Sequence, residues 1–209
     1  MQQPFWENTY LSDSVSTFSA APNRTLLAYE PLLPRDGALL DVGCGEGQNA
    51  LYLAGRGYEV EAFDLSQRAV DKVRRLAERR QTSLRVWAED LCAFPFARDY
   101  GGILSFGTLH FVPRRQWRAF LQRAKVHTQP GGLNVIQLFT DRAPASPDIA
   151  PFAVGLAREG ELLGLYRDWE VLHFSSYTFE DEHPGVPRHV HASNKIVARR
   201  PGGGTHEDR

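Results

Sequence analysis

Leu40-Asp41-Val42-Gly43-Cys44-Gly45-Glu46-Gly47-Gln48-Asn49 decides the fold of this 209-residue chain. An apolar run meets an acid, then three glycines at alternate positions, then residues that open a helix. That is the pattern of a buried strand passing through a tight turn into a helix of an α/β sheet. Glycine accepts the left-handed backbone such a turn needs, and its missing Cβ lets the main chain approach a ligand. A dinucleotide fingerprint, G-x-G-x-x-G, carries its third glycine one place later than Gly47, so the spacing argues against a dinucleotide.

Two more acids stand where a nucleoside ligand would meet the same sheet edge. Glu59 to Phe63 reads as the next strand and Asp64 closes it, placed to accept from ribose hydroxyls. Leu84 to Ala88 reads as the third strand and runs into Glu89-Asp90-Leu91. Taken singly, each signal has a plainer reading. Glycine turns are common in α/β proteins, Asp64 with Ser66 caps a helix starting near Gln67, and Asp90 serves as a turn residue. Their order and spacing together favour a cofactor site.

Strand and helix signals alternate along the chain. Strands are expected at 38–43, 59–64, 84–88, 102–106 (Gly102 to Phe106, including Ser105) and 133–139. Helices are expected at 48–55, at 67–80 with Val70, Val73, Leu76 and Ala77 on one face, and from Pro113 through Trp117, Phe120, Leu121 and Ala124. Pro130-Gly131-Gly132 is expected to break that helical run, with the fifth strand following from Leu133. Residues 141–151 hold three prolines and read as a loop. A short helix at 159–166 and strands at 169–177 and 189–199 follow, ending the sheet in an antiparallel hairpin. The alternation implies a parallel sheet with helices on both faces and right-handed crossovers.

With 42% apolar residues the chain can bury one substantial core. The expected division is an N-terminal aromatic segment over 1–30, one domain over 31–200 and a disordered tail over 201–209. A formal charge of -1 offers no global attraction to nucleic acid or to an anionic membrane, and the pairs Arg74-Arg75, Arg79-Arg80 and Arg114-Arg115 read as solvated faces. Arginine supplies nearly all the positive charge, a hint of a GC-rich bacterial genome. Cys44 and Cys92 have neither disulfide-framework nor metal spacing, which fits a reducing cytoplasm. The stretch from Met1 to Glu7 lacks a signal-peptide pattern, and no run approaches the roughly 18 apolar residues of a membrane span.

The alternating glycines with Asp41, the acid Asp64 and the turn at Asp90 resemble the motifs of class I S-adenosylmethionine-dependent methyltransferases. "GCGEGQNALYLA" (43–54), "GYEVEAFDLS" (57–66), "PGGLNVIQLFTD" (130–141), "PFAVGLAREGELLGLYRDWEVLHF" (151–174) and "RHVHASNKIVARR" (188–200) resemble the tellurite-resistance, TehB-like group of that class. The resemblance covers roughly residues 30 to 200. It implies a Rossmann-like, doubly wound sheet of seven strands, mostly parallel with an antiparallel last strand. S-adenosyl-L-methionine would lie over the C-terminal edge of the first three strands.

By that resemblance, cofactor binding falls to Asp41, Gly43, Gly45, Gly47, Asp64, Leu65, Asp90, Leu91 and Ser105, joined by Tyr10 from the N-terminal segment. Asp90 would accept from the adenine amino group while the Leu91 amide approaches the ring. With no phosphate present, the helix N-terminus after Gly47 would serve the amino acid carboxylate. The implied reaction is methyl transfer to a small, anionic or chalcogen/metalloid acceptor, in which positioning supplies most of the rate.

The expected catalytic residues are Asp141, His183, Arg188 and His110. Asp141 and His183 match polar positions of the tellurite group. Arg188 would clamp an oxyanion with two prongs, and His110 follows the fourth strand at the pocket border. His189 and His191, two apart on a strand, share a face; they either pack in the sheet or join His183 and Asp141 around a metal. H-x-H alone does not identify a metal site, and no metal is assigned. The expected partner is a small molecule, with no nucleic acid and no membrane, and oligomeric state stays open. A cofactor-binding sensor without turnover is the alternative, although titratable groups around a second pocket favour an enzyme. Finally, Trp6 and Tyr10 would share a helix face and, with Phe5 and Phe18, form either a staple over the core or a lid.

Overall fold

Burial on both faces places Leu39–Val42 (β1) at the centre of the sheet, since every residue of the strand is buried. β1 pairs in parallel with Val60–Asp64 (β2) on one side and with Tyr100–Phe106 (β4) on the other. Arg85–Ala88 (β3) lies outside β2. Thr128–Phe139 (β5) lies outside β4, in parallel. Glu170–His183 (β6) and Val186–Arg199 (β7) complete a seven-stranded sheet of order β3-β2-β1-β4-β5-β7-β6. β7 runs antiparallel to both of its neighbours. The order reverses between β1 and β4, the place where open α/β sheets bind ligands at the C-terminal strand ends. The computed structural model describes residues 3–16, 20–183 and 186–202, without the side chains of His183 and Val186. Phe18 and residues 203–209 lie outside the described residues.

Helices cover both faces. Trp6–Thr9 (α1) and Arg24–Tyr29 (α2) precede the sheet. Gln48–Gly55 (α3) and Gln67–Arg79 (α4) follow β1 and β2. They pack, through Leu51, Leu53, Val70 and Val73, against the face that carries Leu39 and Leu104. Arg114–Val126 (α5) and Glu161–Leu165 (α6) cover the other face with Trp117, Phe120, Leu121 and Leu162. Trp117 is fully buried and its indole N–H donates to the Gly155 carbonyl at 2.7 Å. A Trp117→Phe variant leaves that carbonyl unpaired, so urea unfolding should show a loss of about 1–3 kcal/mol. Among the described residues, no helix is long and apolar enough to cross a membrane.

Two expectations about the chain path are corrected. The helix ends at Val126, ahead of Pro130-Gly131-Gly132, but these residues do not precede the fifth strand: β5 already begins at Thr128 instead of Leu133 and contains them, and its pairing with β4 slips between Tyr100 and Gly102. Gly131 takes φ +78°, and a Cβ on Gly132 would fall 2.7 Å from the Gly101 carbonyl. Hydrogen bonds to Arg200 tie these glycines down. The stretch 178–188, which falls between the expected strands at 169–177 and 189–199, instead belongs mostly to the hairpin: Thr178 pairs with Ala192, Phe179 with His191 and Asp181 with His189. These strand ends run past the rest of the sheet, so no buried face imposes alternation on them.

Candidate active site

The turn after β1 opens onto a cavity of about 1280 Å³ at the C-terminal strand ends. Gly43, Gly45 and Gly47 all have positive φ, at +65°, +51° and +76°, yet they meet different neighbours. A Cβ on Gly43 would fall 2.2 Å from Thr108 Cγ2, and one on Gly47 would fall 2.7 Å from Val73 Cγ2. One on Gly45 would meet only the Tyr10 hydroxyl, at 3.5 Å. Gly45 is thus the glycine whose missing side chain leaves cavity space, whereas Gly47 does not border the cavity and instead lets α3 pack against α4.

Asp41 borders the cavity at 2% exposure. The Ala50 N–H donates to it, while its Oδ2 has no hydrogen-bond partner among the described residues. Burial first, and then the Asp64 charge, push its carboxyl up to about 7. Asp64 accepts from the Gly45 N–H through Oδ2 and from the Ser66 N–H through Oδ1, both at 2.9 Å. Burial raises its carboxyl as well. Ser66 in turn caps α4 by accepting from the Ala69 N–H. Asp64 therefore organises the turn and the helix start while bordering the cavity. Leu65 is 76% exposed at the cavity wall, and Leu91 closes that wall from the third loop. Beside it Asp90 is exposed and accepts from the Cys92 N–H at 2.8 Å.

Ser105 departs from the expectation. It is fully buried, away from the cavity, and its hydroxyl donates to the Val42 carbonyl, because its side chain faces β1 rather than the strand end. Thr108, which the sequence reading passed over, holds the turn by donating to the Gly43 carbonyl at 3.1 Å.

The N-terminal segment crosses the cavity. Phe5, Trp6, Glu7 and Tyr10 border it, and Trp6 packs on Phe111 and Phe152 with ring centroids 5.0 and 5.6 Å apart. The buried Lys72 of α4 fastens the segment. Its ammonium donates to Glu46 at 2.9 Å and to the carbonyls of Thr9 and Val15 at 3.1 and 2.7 Å. Asp13 accepts from Arg75 alongside.

Beyond the glycine turn the lining becomes aromatic. Phe139 lies between the rings of His110 and His191, with centroids 4.3 and 4.4 Å apart, and Phe179 closes on His191 at 5.3 Å. His110 is fully buried; the Phe139 N–H donates to its Nδ1 at 3.5 Å, and its Nε2 has no partner among the described residues. Burial, helped by His191, brings its pKa down to about 3, so the ring is neutral and the proton sits on Nε2. His191 Nε2 lies 3.0 Å from His189 Nε2, which lies 3.7 Å from Asp148 Oδ1.

Two expected acceptor residues are elsewhere. Asp141 is exposed, its backbone amide spent on Ala157, and does not border the cavity. Arg188 is exposed outside the cavity and pairs with Glu180 across the β6–β7 hairpin. The strand alternation turns Arg188 to the face opposite His189. The side chain of His183 lies outside the described residues. Among the described residues no group of three His, Cys, Asp or Glu is arranged to hold a metal. Phe111, Phe152 and Phe179 were not singled out from sequence, since each sits in an irregular segment or a two-stranded ribbon without periodicity.

The family described as "Tellurite resistance protein TehB" matches residues 28–183. A "Hemagglutinin 1" of Eikenella corrodens is 38% identical over 65% of this chain. A "Probable S-adenosyl-L-methionine-dependent methyltransferase TehB" of Haemophilus influenzae is 31% identical over 66%. The chain spans about half the length of these two relatives, 44% and 47%. The crystal structure of the Haemophilus influenzae TehB superposes with a TM-score of 0.75 over 94% of this chain and 66% of that one, at 24% identity. A "2-heptyl-1-hydroxyquinolin-4(1H)-one methyltransferase" of Mycobacteroides abscessus is 28% identical over 81% of this chain and 78% of its own length. With the family match running through the glycine turn, all three acid-bearing strand ends and Phe111, Phe139, Phe152 and Phe179 of the aromatic compartment, the chain belongs to the TehB tellurite-resistance group of the class I S-adenosylmethionine-dependent methyltransferases.

Proposed function

We propose that this protein transfers a methyl group from S-adenosylmethionine to a small-molecule acceptor. The observation that carries the reading is the buried Asp41 carboxyl, with an unpartnered oxygen, at the edge of the space that Gly45 leaves open. A desolvated carboxyl of this kind suits a cation, and the amino acid end of the cofactor carries an ammonium. When bound, the cofactor supplies a methyl group already activated on a sulfonium. Asp41 and the Gly45 backbone would hold its amino acid end, Asp64 its ribose, and Leu65, Asp90 and Leu91 its adenine. Trp6 and Tyr10 would exclude water from above. The family name makes a chalcogen or metalloid oxyanion one candidate acceptor. The hydroxyquinolinone methyltransferase among the relatives makes a hydroxylated heteroaromatic another. Titrating the protein with S-adenosylmethionine, then assaying S-adenosylhomocysteine release over a panel holding both classes, separates an enzyme from a sensor that binds without turnover.

Asp41 gives a further expected result. Its carboxyl ordinarily titrates at 3.8 and in the fold at about 7. The folded state therefore binds this proton more tightly than the unfolded state, and its contribution to stability falls as pH rises from about 4 to 7. Pairing with an ammonium favours the carboxylate, so cofactor binding at pH 6 should release a proton and binding at pH 8 should release almost none. Calorimetry in buffers of different ionisation heat reads this directly; equal proton release at both pH values would place the ammonium elsewhere. Asp64→Ala should weaken cofactor binding by about 1–3 kcal/mol, through lost ribose contacts and a loosened turn.

A further inference from the structure

We infer that the acceptor is a flat aromatic molecule bearing an ionisable hydroxyl, which enters uncharged and gives its proton to His191 as its oxygen takes the methyl group. This rests on the methyl-transfer reading and names the acceptor for it. The aromatic compartment provides ring faces on several sides: Trp6 with Phe111 and Phe152 above, and Phe139 and Phe179 with the two histidines along the β5–β7–β6 edge. Stacked and edge-to-face contacts of this kind select flat rings.

The charge of the lining disfavours an oxyanion. Eight of the residues bordering the cavity are acids and two are arginines. Arg24 is exposed at the start of α2, and Arg68 on α4 lies 4.0 Å from Glu7. Asp181 and Glu182 border the cavity from β6, beside the aromatic rings. His110 is held neutral, and Arg188, the residue best suited to a two-pronged oxyanion contact, faces away from the cavity. An oxyanion would meet eight acids against two arginines, whereas a neutral hydroxyl carries no charge for those acids to oppose. The protonated Nε2 of His110 is a donor suited to a ring carbonyl or hydroxyl oxygen.

The proton also has a destination. His191 borders the cavity from β7, His189 stands 3.0 Å behind it, and the Asp148 carboxylate lies 3.7 Å from His189. In the transfer, a bond forms between the acceptor oxygen and the methyl carbon. The bond from that carbon to sulfur breaks with its electron pair remaining on sulfur. The hydroxyl proton passes to His191, and the Asp148 carboxylate, beside His189, offsets the single positive charge that the histidine pair then carries.

The test begins with binding. In the presence of S-adenosylhomocysteine, 1-naphthol should bind by calorimetry and alter tryptophan fluorescence, and sodium tellurite should do neither. Tellurite binding with no 1-naphthol binding would overturn the acceptor class. Turnover then tests the base. His191→Phe, which keeps a ring against Phe139, should lower methylation of 1-naphthol by about 10²–10⁴-fold. The same variant should lower methylation of 4-nitrophenol, assayed where it is already ionised, by less than about tenfold. His191→Gln should show the same split, which misfolding of either variant would not produce. Equal losses on both acceptors would overturn the role of His191. Failure of S-adenosylhomocysteine itself to bind the wild-type protein would instead strike the methyl-transfer reading.

Discussion

Lys72→Met should lower the unfolding free energy by about 3–5 kcal/mol, because methionine keeps the apolar stem but removes the cation paired with buried Glu46. The side chains are 2% and 6% exposed, so water cannot replace the lost partner. The Thr9 and Val15 carbonyls lose their donor at the same time, and the N-terminal segment is released from α4. Urea unfolding reads the loss. The Lys72→Met/Glu46→Met double variant should recover much of it, since an ion pair replaced by apolar groups is often near neutral. A single-variant loss under about 1 kcal/mol would mean that water enters the pair freely.

Gly45→Val should cut S-adenosylmethionine affinity by about 100-fold, equivalent to about 3 kcal/mol, because its side chain would occupy the space that only the Tyr10 hydroxyl approaches. A β-branched residue at φ +51° adds about 1–3 kcal/mol of backbone strain, and thermal unfolding should show it. Gly47→Val provides the contrast. Its Cβ would strike Val73 between α3 and α4, so stability should fall further while affinity in the folded fraction changes less. Equal affinity losses in the two variants would show that the turn acts as one rigid unit.

The cradle was legible because its parts are chemically unusual: three left-handed backbone positions at alternate residues and acids closing two strands leave few other readings. What sequence did not reveal is which glycine faces a ligand. Gly43, Gly45 and Gly47 look alike in a string, and only the positions of Thr108 and Val73 distinguish them. Ser105 illustrates a related limit: a polar residue near a strand end points to either face, and here it bonds β1. The acceptor side was least legible. Asp141 and Arg188 carry suitable groups, yet the first sits on an exposed turn and the second on the outer face of the hairpin. Phe111, Phe152 and Phe179 come from three separate segments that only the tertiary fold brings together. Lys72 lay among the core positions of an amphipathic helix, where its charge gave no sign that a buried acid awaited it.

The pairing of β5 with β7 stops at Phe139 and Ser193, and beyond it the strand segments 178–183 and 186–192 continue as a two-stranded ribbon bearing Phe179, Asp181, His189 and His191. A ribbon supported on one side only is held more weakly than the sheet that carries the glycine turn. Under the proposed function, the reagent and part of the selectivity thus sit in separate mechanical units. Exchange of this one hairpin tip between relatives is a route to new acceptors that leaves the donor machinery intact.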